Sequence, residues 1–429
     1  MSPDTEIEQM RLIYQAVADH YHSSRDFNGI EFNALREQIG CSVEELATDL
    51  ATLVTFGLLT VTATSYVSNP FIKSFDDWPI DDQINALDTG GRGIIICVYP
   101  TERALAQTVE EHELRDKPFA RRLYKGEPQL RFYTFELNVL ASYQDDPRYV
   151  LDFDGINGRI YLLDEFHINP DVHERDKVFL QTFGLAYDST RKRAIAVYLR
   201  YLSSLSSEHQ QIWNAKLITG KYEIHPDYYR QSIQAQWAER IPVYRAFVGE
   251  LQTINGLCEL MGKPRLFKFD YPEGERIKGL EPLYRSTSKA YYEFVHLLDK
   301  LLSENINKDF FRGDVQLEED KPRKDGKIQV VQKGTIQLLE EWIKKYFSST
   351  ETQKVDDAFT KVRKIRRERQ RPAHAIMNDV YDSAFFDQQQ ELMRDAYEFV
   401  HALRLIFSRH PNASDYDIPD WLEEEIQTF

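Results

Sequence analysis

The chain has 429 residues, too many for one ordinary hydrophobic core, and a 42% hydrophobic share with 24 tyrosines and 25 phenylalanines can fill several. A formal net charge of -16 at pH 7 excludes general affinity for nucleic acid, because an acidic surface repels phosphate unless a local patch reverses the field. Cys41, Cys97 and Cys258 stand singly and give neither a disulfide framework nor a paired zinc spacing, and no apolar run approaches the ~20 residues of a membrane helix. The polar, acidic stretch Met1 to Met10 lacks the basic and apolar regions of a signal peptide, so a folded cytoplasmic protein with no membrane contact is expected.

From the N-terminus, Asn33 to Ile72 reads as helix, turn, helix and wing. Leu35, Ile39, Leu46, Leu50, Leu53 and Val54 recur at helical spacing, Gly40 to Ser42 interrupts them, and Ser42 with Glu45 three residues on is a capping-box pattern. After Gly57 the period changes to that of a strand over Leu58 to Val67. Residues 1–75 thus resemble a winged-helix module, with Val43 to Phe56 in the place of the recognition helix. The outward candidates on that helix are Glu44, Glu45, Thr48, Asp49 and Thr52, with no cation among them, so a protein partner fits this face better than DNA.

Residues 76–225 have the mixed texture of an α+β middle domain. Gly93 to Tyr99, Leu130 to Leu140, Tyr149 to Phe153 and Arg159 to Phe166 read as strands, the last following a turn signal at Gly155 to Gly158. Asp152, Asp154, Asp164, Glu165 and His167 gather around that turn, but acidic hairpin ends serve solubility and no metal site is expected. Residues 226–279 read as a helical connector broken at Pro242, then a linker over Gly262 to Gly279. No phosphate-binding Gly-rich Lys-Ser/Thr loop and no Gly-x-Ser-x-Gly elbow occurs, and no cofactor is expected.

Residues 280–429 are helical in pattern, with segments at Thr287 to Ser303, Gly334 to Phe347, Val355 to Gln370, Ala373 to Tyr381 and Phe385 to Ser408. Arg312 to Lys333 reads as an exposed polar insertion. Between Lys361 and His374 stand Lys361, Arg363, Lys364, Arg366, Arg367, Arg369 and Arg371 against the single acid Glu368. So many adjacent cations either meet acids from elsewhere in the fold or present a phosphate-binding surface.

Arg369 precedes His374 by four intervening residues, Arg367 by six, and Pro372 between them favours a chain break that lets an arginine and a histidine converge. At this motif the chain resembles the HEPN superfamily, over roughly Leu280 to His410 of the HEPN-like domain at 280–429. Gln370 stands where that pattern often has a smaller polar residue. Two further Arg–His pairs, Arg394 with His401 and Arg404 with His410, lie within or just past the last long helix and read as surface or helix-end residues.

The resemblance implies a metal-independent endoribonuclease acting as a homodimer on RNA, of a kind found in toxin and phage-defence systems. In it His374 is general acid or base and Arg369 the stabiliser of phosphate charge, with Arg363, Lys364, Arg366, Arg367, Gln370 and Arg371 as RNA-binding residues. The alternative is a non-enzymatic regulatory or scaffold protein using the winged-helix-like and HEPN-like parts for protein contacts. The expected whole is therefore multi-domain and mainly α, with an N-terminal winged helix, an α+β middle domain and a C-terminal helical bundle.

Overall fold

Helix caps and sheet pairing fix the first hundred residues. The computed structural model describes residues 3–24, 26–74, 78–106, 114–236, 241–269, 277–323, 327–347, 352–370, 378–413, 415–423 and 426–427. Two compact units emerge, Met1–Asp152 with Asn157–Tyr228, and Phe153–Ile156 with Tyr229–Phe429.

The first unit begins with α1 (Pro3–Ser23), β1 (Ile30–Glu31), α2 (Phe32–Ile39), α3 (Val43–Thr55), β2 (Leu59–Ala63), α4 (Ile80–Asp88) and β3 (Ile96–Pro100). Gly40, at φ 76°, ends α2 in the left-handed region that glycine adopts freely. Ser42 Oγ then accepts from the Glu45 amide at 3.2 Å while the Glu45 carboxylate accepts from the Ser42 amide at 2.9 Å, the reciprocal box that starts α3.

A wing made of β2 alone would leave a row of backbone groups unpaired. β3 supplies the partner, lying between β1 and β2 and antiparallel to both, with Val98 opposite Ile30 and Val61. The core of this module accordingly includes Trp78, Leu87, Ile96 and Val98 beside Leu35, Leu46 and Leu50. Residues 1–75 therefore do not close a core by themselves.

Next come α5 (Glu102–Leu105), α6 (Pro118–Tyr124), β4 (Phe132–Phe135), α7 (Ala141–Gln144), β5 (Tyr149–Phe153), β6 (Asn157–Leu162) and α8 (Asp164–His167). They are followed by β7 (Phe179–Asp188), β8 (Arg193–Tyr198), α9 (Leu199–Ser203), α10 (Ser207–Asn214), β9 (Leu217–Ile218) and β10 (Tyr222–Ile224). The strands form one sheet in the order β5-β6-β7-β8-β4-β9, with β10 pairing on β7. Two expected strands are shorter than their patterns. Leu137–Leu140 coils into a 3-10 turn after β4, and Asp164–His167 is helical after β6. Where β7 and β8 pair they carry little alternation to read, because Leu185, Ala186 and Ala194 to Tyr198 are all buried.

After α11 (Pro226–Ile233), the second unit contains β11 (Ile241–Pro242), α12 (Val243–Leu260), α13 (Ser288–Asp299), β12 (Glu318–Pro322), β13 (Ile328–Gln332), α14 (Thr335–Tyr346), α15 (Thr352–Gln370), α16 (Ala384–Phe407) and β14 (Ile426–Gln427). Pro242 stands directly before α12, where its missing N–H and fixed φ suit a helix start. Phe247 and Ile254 of α12 share one core with Leu298, Trp342, Ile365 and Leu403, so the connector and the later helices are a single packed body.

Two expectations change here and a third gains detail. Within 262–279, Leu266 and Phe267 are fully buried, and Asn255 brackets Phe267 by accepting from its amide at 2.9 Å and donating to its carbonyl at 3.0 Å. That part of the expected linker is core; 270–276 lie outside the described residues. Arg312 to Lys333 holds the antiparallel hairpin β12–β13, with Asp320 opposite Val330, and both strands are largely exposed, as expected of an insertion. Of the helix expected at 373–381, 373–377 lie outside the described residues, 378–380 are not helical, and Tyr381 bridges Thr287.

Candidate phosphate-binding site

α15 turns Phe359, Val362 and Ile365 into the core, which leaves its cations on the flanks and the outer face. Most of those cations are already matched. Lys361 pairs with Glu398 of α16, Arg363 with Glu340 of α14, and Lys364 with Glu391 at 2.5 Å and Asp395 at 2.8 Å, both on α16. Burial would lower the Lys364 pKa, yet the hydrogen bonds to Asp395 and Glu391 outweigh it and hold the ammonium above the ordinary lysine value. Arg363 and Lys364 therefore tie α15 to its neighbours rather than standing ready for RNA. Arg366, Arg367 and Gln370 are exposed, and the two arginines have no ion pair among the described residues.

Arg369 is held differently. One guanidinium nitrogen donates to Asp299 Oδ2 at 2.7 Å and the other terminal nitrogen lies 3.0 Å from Glu304 Oε1. The two acids are unlike each other, for the Asp299 side chain is 1% exposed and that of Glu304 is 50% exposed. Asp299 also accepts from Ser303 Oγ at 2.8 Å. Removing one partner of a buried pair costs about 3–5 kcal/mol, whereas a pair with a half-exposed partner contributes about 0–1 kcal/mol. Asp299 is the anchor; Glu304 is a loose second contact.

The backbone explains how residues 299 and 304 reach one arginine. On a regular α-helix, positions five apart point about 140° from each other. Directly after α13, Lys300–Glu304 winds as a π-helix, whose wider i→i+5 turn brings positions five apart towards the same side. Arg371 and His374 lie outside the described residues.

One member of each of the other Arg–His pairs, His401 and Arg404, joins a second network. Glu250 of α12 is fully buried and accepts from Arg404 Nε at 2.7 Å, with His401 Nδ1 at 2.8 Å from its other oxygen. Arg404 also donates to Glu423 at 2.8 Å. At 1% exposure Arg404 is neither a surface residue nor open to a phosphate, a correction to its reading from sequence. Tyr397 stacks on His401, and burial, then the nearby Glu250, pushes its hydroxyl up to about 12. His410 accepts from the Asn412 amide at 3.2 Å.

The sequence pattern missed Asp299, Glu304 and Glu250. A signal for two of them exists. Asp299 stands four residues after the buried Val295, and Glu250 lies between the buried Phe247 and Leu251, so each places an acid on an apolar helical face.

On α3, Asp49 is not outward as expected, since it accepts from Gln9 Nε2 of α1 at 2.7 Å. Burial first, and the acids Glu45 and Glu6 last, raise its pKa against that hydrogen bond. Thr48 and Thr52 spend their hydroxyls on the carbonyls of Glu44 and Thr48 within the helix. α3 and the 87–92 segment line a groove of 710 Å³ that holds Glu44 and Asp88 against the single cation Arg92, a poor surface for phosphate. Around the Gly155 turn, Asp152 meets Arg159 at 3.0 Å and Asp154 accepts from the Ile156 amide at 2.8 Å. Among the described residues no group of three or more His, Cys, Asp or Glu side chains comes together to hold a metal, and no helix is long and apolar enough to cross a membrane.

No family model matches the chain, and no curated protein or solved structure matches it either.

Proposed function

We propose that the second unit is a HEPN-type, metal-independent endoribonuclease in which Arg369 and His374 act together across a homodimer, and that the first unit holds a protein partner or senses a trigger. The observation that carries this reading is the anchoring of Arg369. The chain buries a carboxylate to fix one guanidinium at the last turn of α15, five residues before a histidine whose ordinary pKa lies near the working pH. Burying a charge is unfavourable in itself, so an arginine held this way is placed rather than incidental.

In the proposed reaction the RNA 2′-oxygen attacks the adjacent phosphorus as an imidazole takes its proton. The phosphorus–5′-oxygen bond breaks, the departing oxygen receives a proton, and a 2′,3′-cyclic phosphate remains. Arg369 offsets charge gathering on the non-bridging oxygens. RNA contact falls to Arg366, Arg367, Arg369 and Gln370 on α15, with Arg371 beyond it. Arg363 and Lys364 serve the bundle instead.

A second reading, a non-enzymatic regulatory or scaffold protein, draws on those same ion pairs, because Lys361, Arg363 and Lys364 stitch α15 to α14 and α16. One experiment separates the two. Purified protein incubated with total RNA in EDTA yields fragments ending in cyclic phosphate under the nuclease reading, and His374→Ala abolishes them. Intact RNA with the parent protein, or equal cutting by His374→Ala, ends that reading and leaves the scaffold.

A further inference from the structure

We infer that Glu304 occupies the phosphate subsite of Arg369 at rest, and that an RNA phosphodiester binds by displacing Glu304 while Asp299 keeps the guanidinium in place. The inference rests on the reading of Arg369 as a phosphate-binding residue and adds to it an exchangeable internal carboxylate.

The asymmetry of the two acids carries the argument. Asp299 is buried, accepts from Ser303 Oγ at 2.8 Å, and would be stranded as an unpaired charge if Arg369 left it. Glu304 has half of its side chain in solvent, so releasing it returns a carboxylate to water. Its backbone does not need to follow. The Glu304 carbonyl accepts from Lys268 Nζ at 2.6 Å, and Asn305 accepts from the Phe269 amide at 2.9 Å, which hold the main chain while the side chain swings.

A guanidinium has five N–H donors in a fork that suits a carboxylate or a phosphate equally. A phosphate can therefore take over the Nη2 edge that Glu304 now occupies without disturbing the Nη1 bond to Asp299. One turn back, Arg366 lies at i−3 from Arg369, on the neighbouring strip of the helix, exposed and with no ion pair among the described residues. It adds a second cation for the incoming group. With both acids in place Arg369 is over-neutralised, so the resting site repels RNA; releasing Glu304 removes that repulsion.

The test uses a fluorescent 2′-O-methyl RNA oligonucleotide, which lacks the nucleophilic hydroxyl, and reads binding to the full chain by anisotropy. Glu304→Gln should tighten binding about two- to fivefold, the weight of one half-exposed ion pair. The gain should vanish in the Glu304→Gln, Arg369→Ala double variant. Glu293→Gln removes a more exposed acid of α13, whose side chain is 68% exposed, and should change binding less than twofold. A Glu304→Gln affinity within twofold of the parent overturns the inference, as does a gain that survives loss of Arg369 or is matched by Glu293→Gln. Cleavage of unmodified RNA is followed in parallel. Loss of all cutting with a retained Glu304→Gln gain sinks the nuclease reading alone; cutting without that gain sinks this inference alone.

Discussion

The two units differ in whether they bury charge. Both bury neutral amides, Gln83, Gln129 and Gln210 in the first and Asn255, Asn305 and Gln389 in the second, whereas among the described residues the buried ions Glu250, Asp299 and Arg404 all belong to the second. The amides act as pieces of backbone. Gln210 accepts from the Phe119 and Ala120 amides at 3.0 and 3.2 Å and donates to the carbonyls of Ser203 and Leu205 at 3.0 and 2.9 Å. Gln129 likewise accepts from Lys73 and donates to the Asp26 carbonyl, both near 2.7 Å. Such groups specify shape and have no charge to offer a ligand. In the second unit the buried acids exist beside arginines, and each fixes a guanidinium in one orientation.

The contrast is broken most directly at Glu250. Glu250→Ala leaves the buried Arg404 guanidinium with only the exposed Glu423 as an acidic partner among the described residues and should destabilise the second unit by about 3–5 kcal/mol in urea unfolding, while Glu250→Ala with Arg404→Met should recover most of that loss. Hydrogen exchange read unit by unit should show the first unit unchanged. If the single variant is as stable as the parent, the buried ions do not hold this bundle.

Gln210→Ala is the counterpart in the first unit. It orphans two amides and two carbonyls, with about 1–3 kcal/mol expected for a buried group left unsatisfied, and the effect should be insensitive to salt. A strong salt dependence would contradict the neutral character assigned to that core.

Acidification should separate the units by window. Burial first lowers the His209 pKa below the ordinary imidazole value of 6.5, and the Asp176 carbonyl and carboxylate only partly oppose it. The folded state then takes up its proton later than the unfolded one, so the first unit loses stability as pH falls below about 6.5. Asp314 of the second unit behaves otherwise. Burial would raise its pKa, but hydrogen bonds from Lys263, Trp342 and Tyr346 hold it below the ordinary aspartate value. Its contribution is present above that ordinary value and fades only as pH falls through the still lower folded pKa. Thermal melts from pH 7.5 to 4 should therefore show the first unit softening earlier, and His209→Gln should flatten that slope.

The smallest effect belongs to the outer face of α15. Arg363→Gln breaks a pair whose arginine side chain is 48% exposed, and about 0–1 kcal/mol is expected, vanishing in high salt.

Part of this was legible in the sequence. Ser42 and Glu45 announce the start of α3 because a capping box is local, and the density of cations in α15 is visible by eye. The fate of those cations was not legible, since Arg369 meets acids roughly 70 positions away and nothing near α15 points to them. The centre of the large sheet was hidden for a related reason: strands covered on both faces lose the alternation that marks a half-exposed strand. The hairpin β12–β13 escaped because β12 is a run of acids, a lysine and a proline that resembles a loop. Long-range pairing, rather than local propensity, decided the arginine and the sheet.

The wide turn at Lys300–Glu304 also makes the chain forgiving of length at this point. Deleting a single position there would let the segment relax into ordinary winding, with the chain still continuous and still helical. The two acids would then stand four apart, about 40° from each other on an α-helix, so they would keep to one side. The helix before the turn and the chain after it would keep their facing. A change of length by one residue is absorbed at this corner of the bundle, because the wide turn already accommodates one extra position.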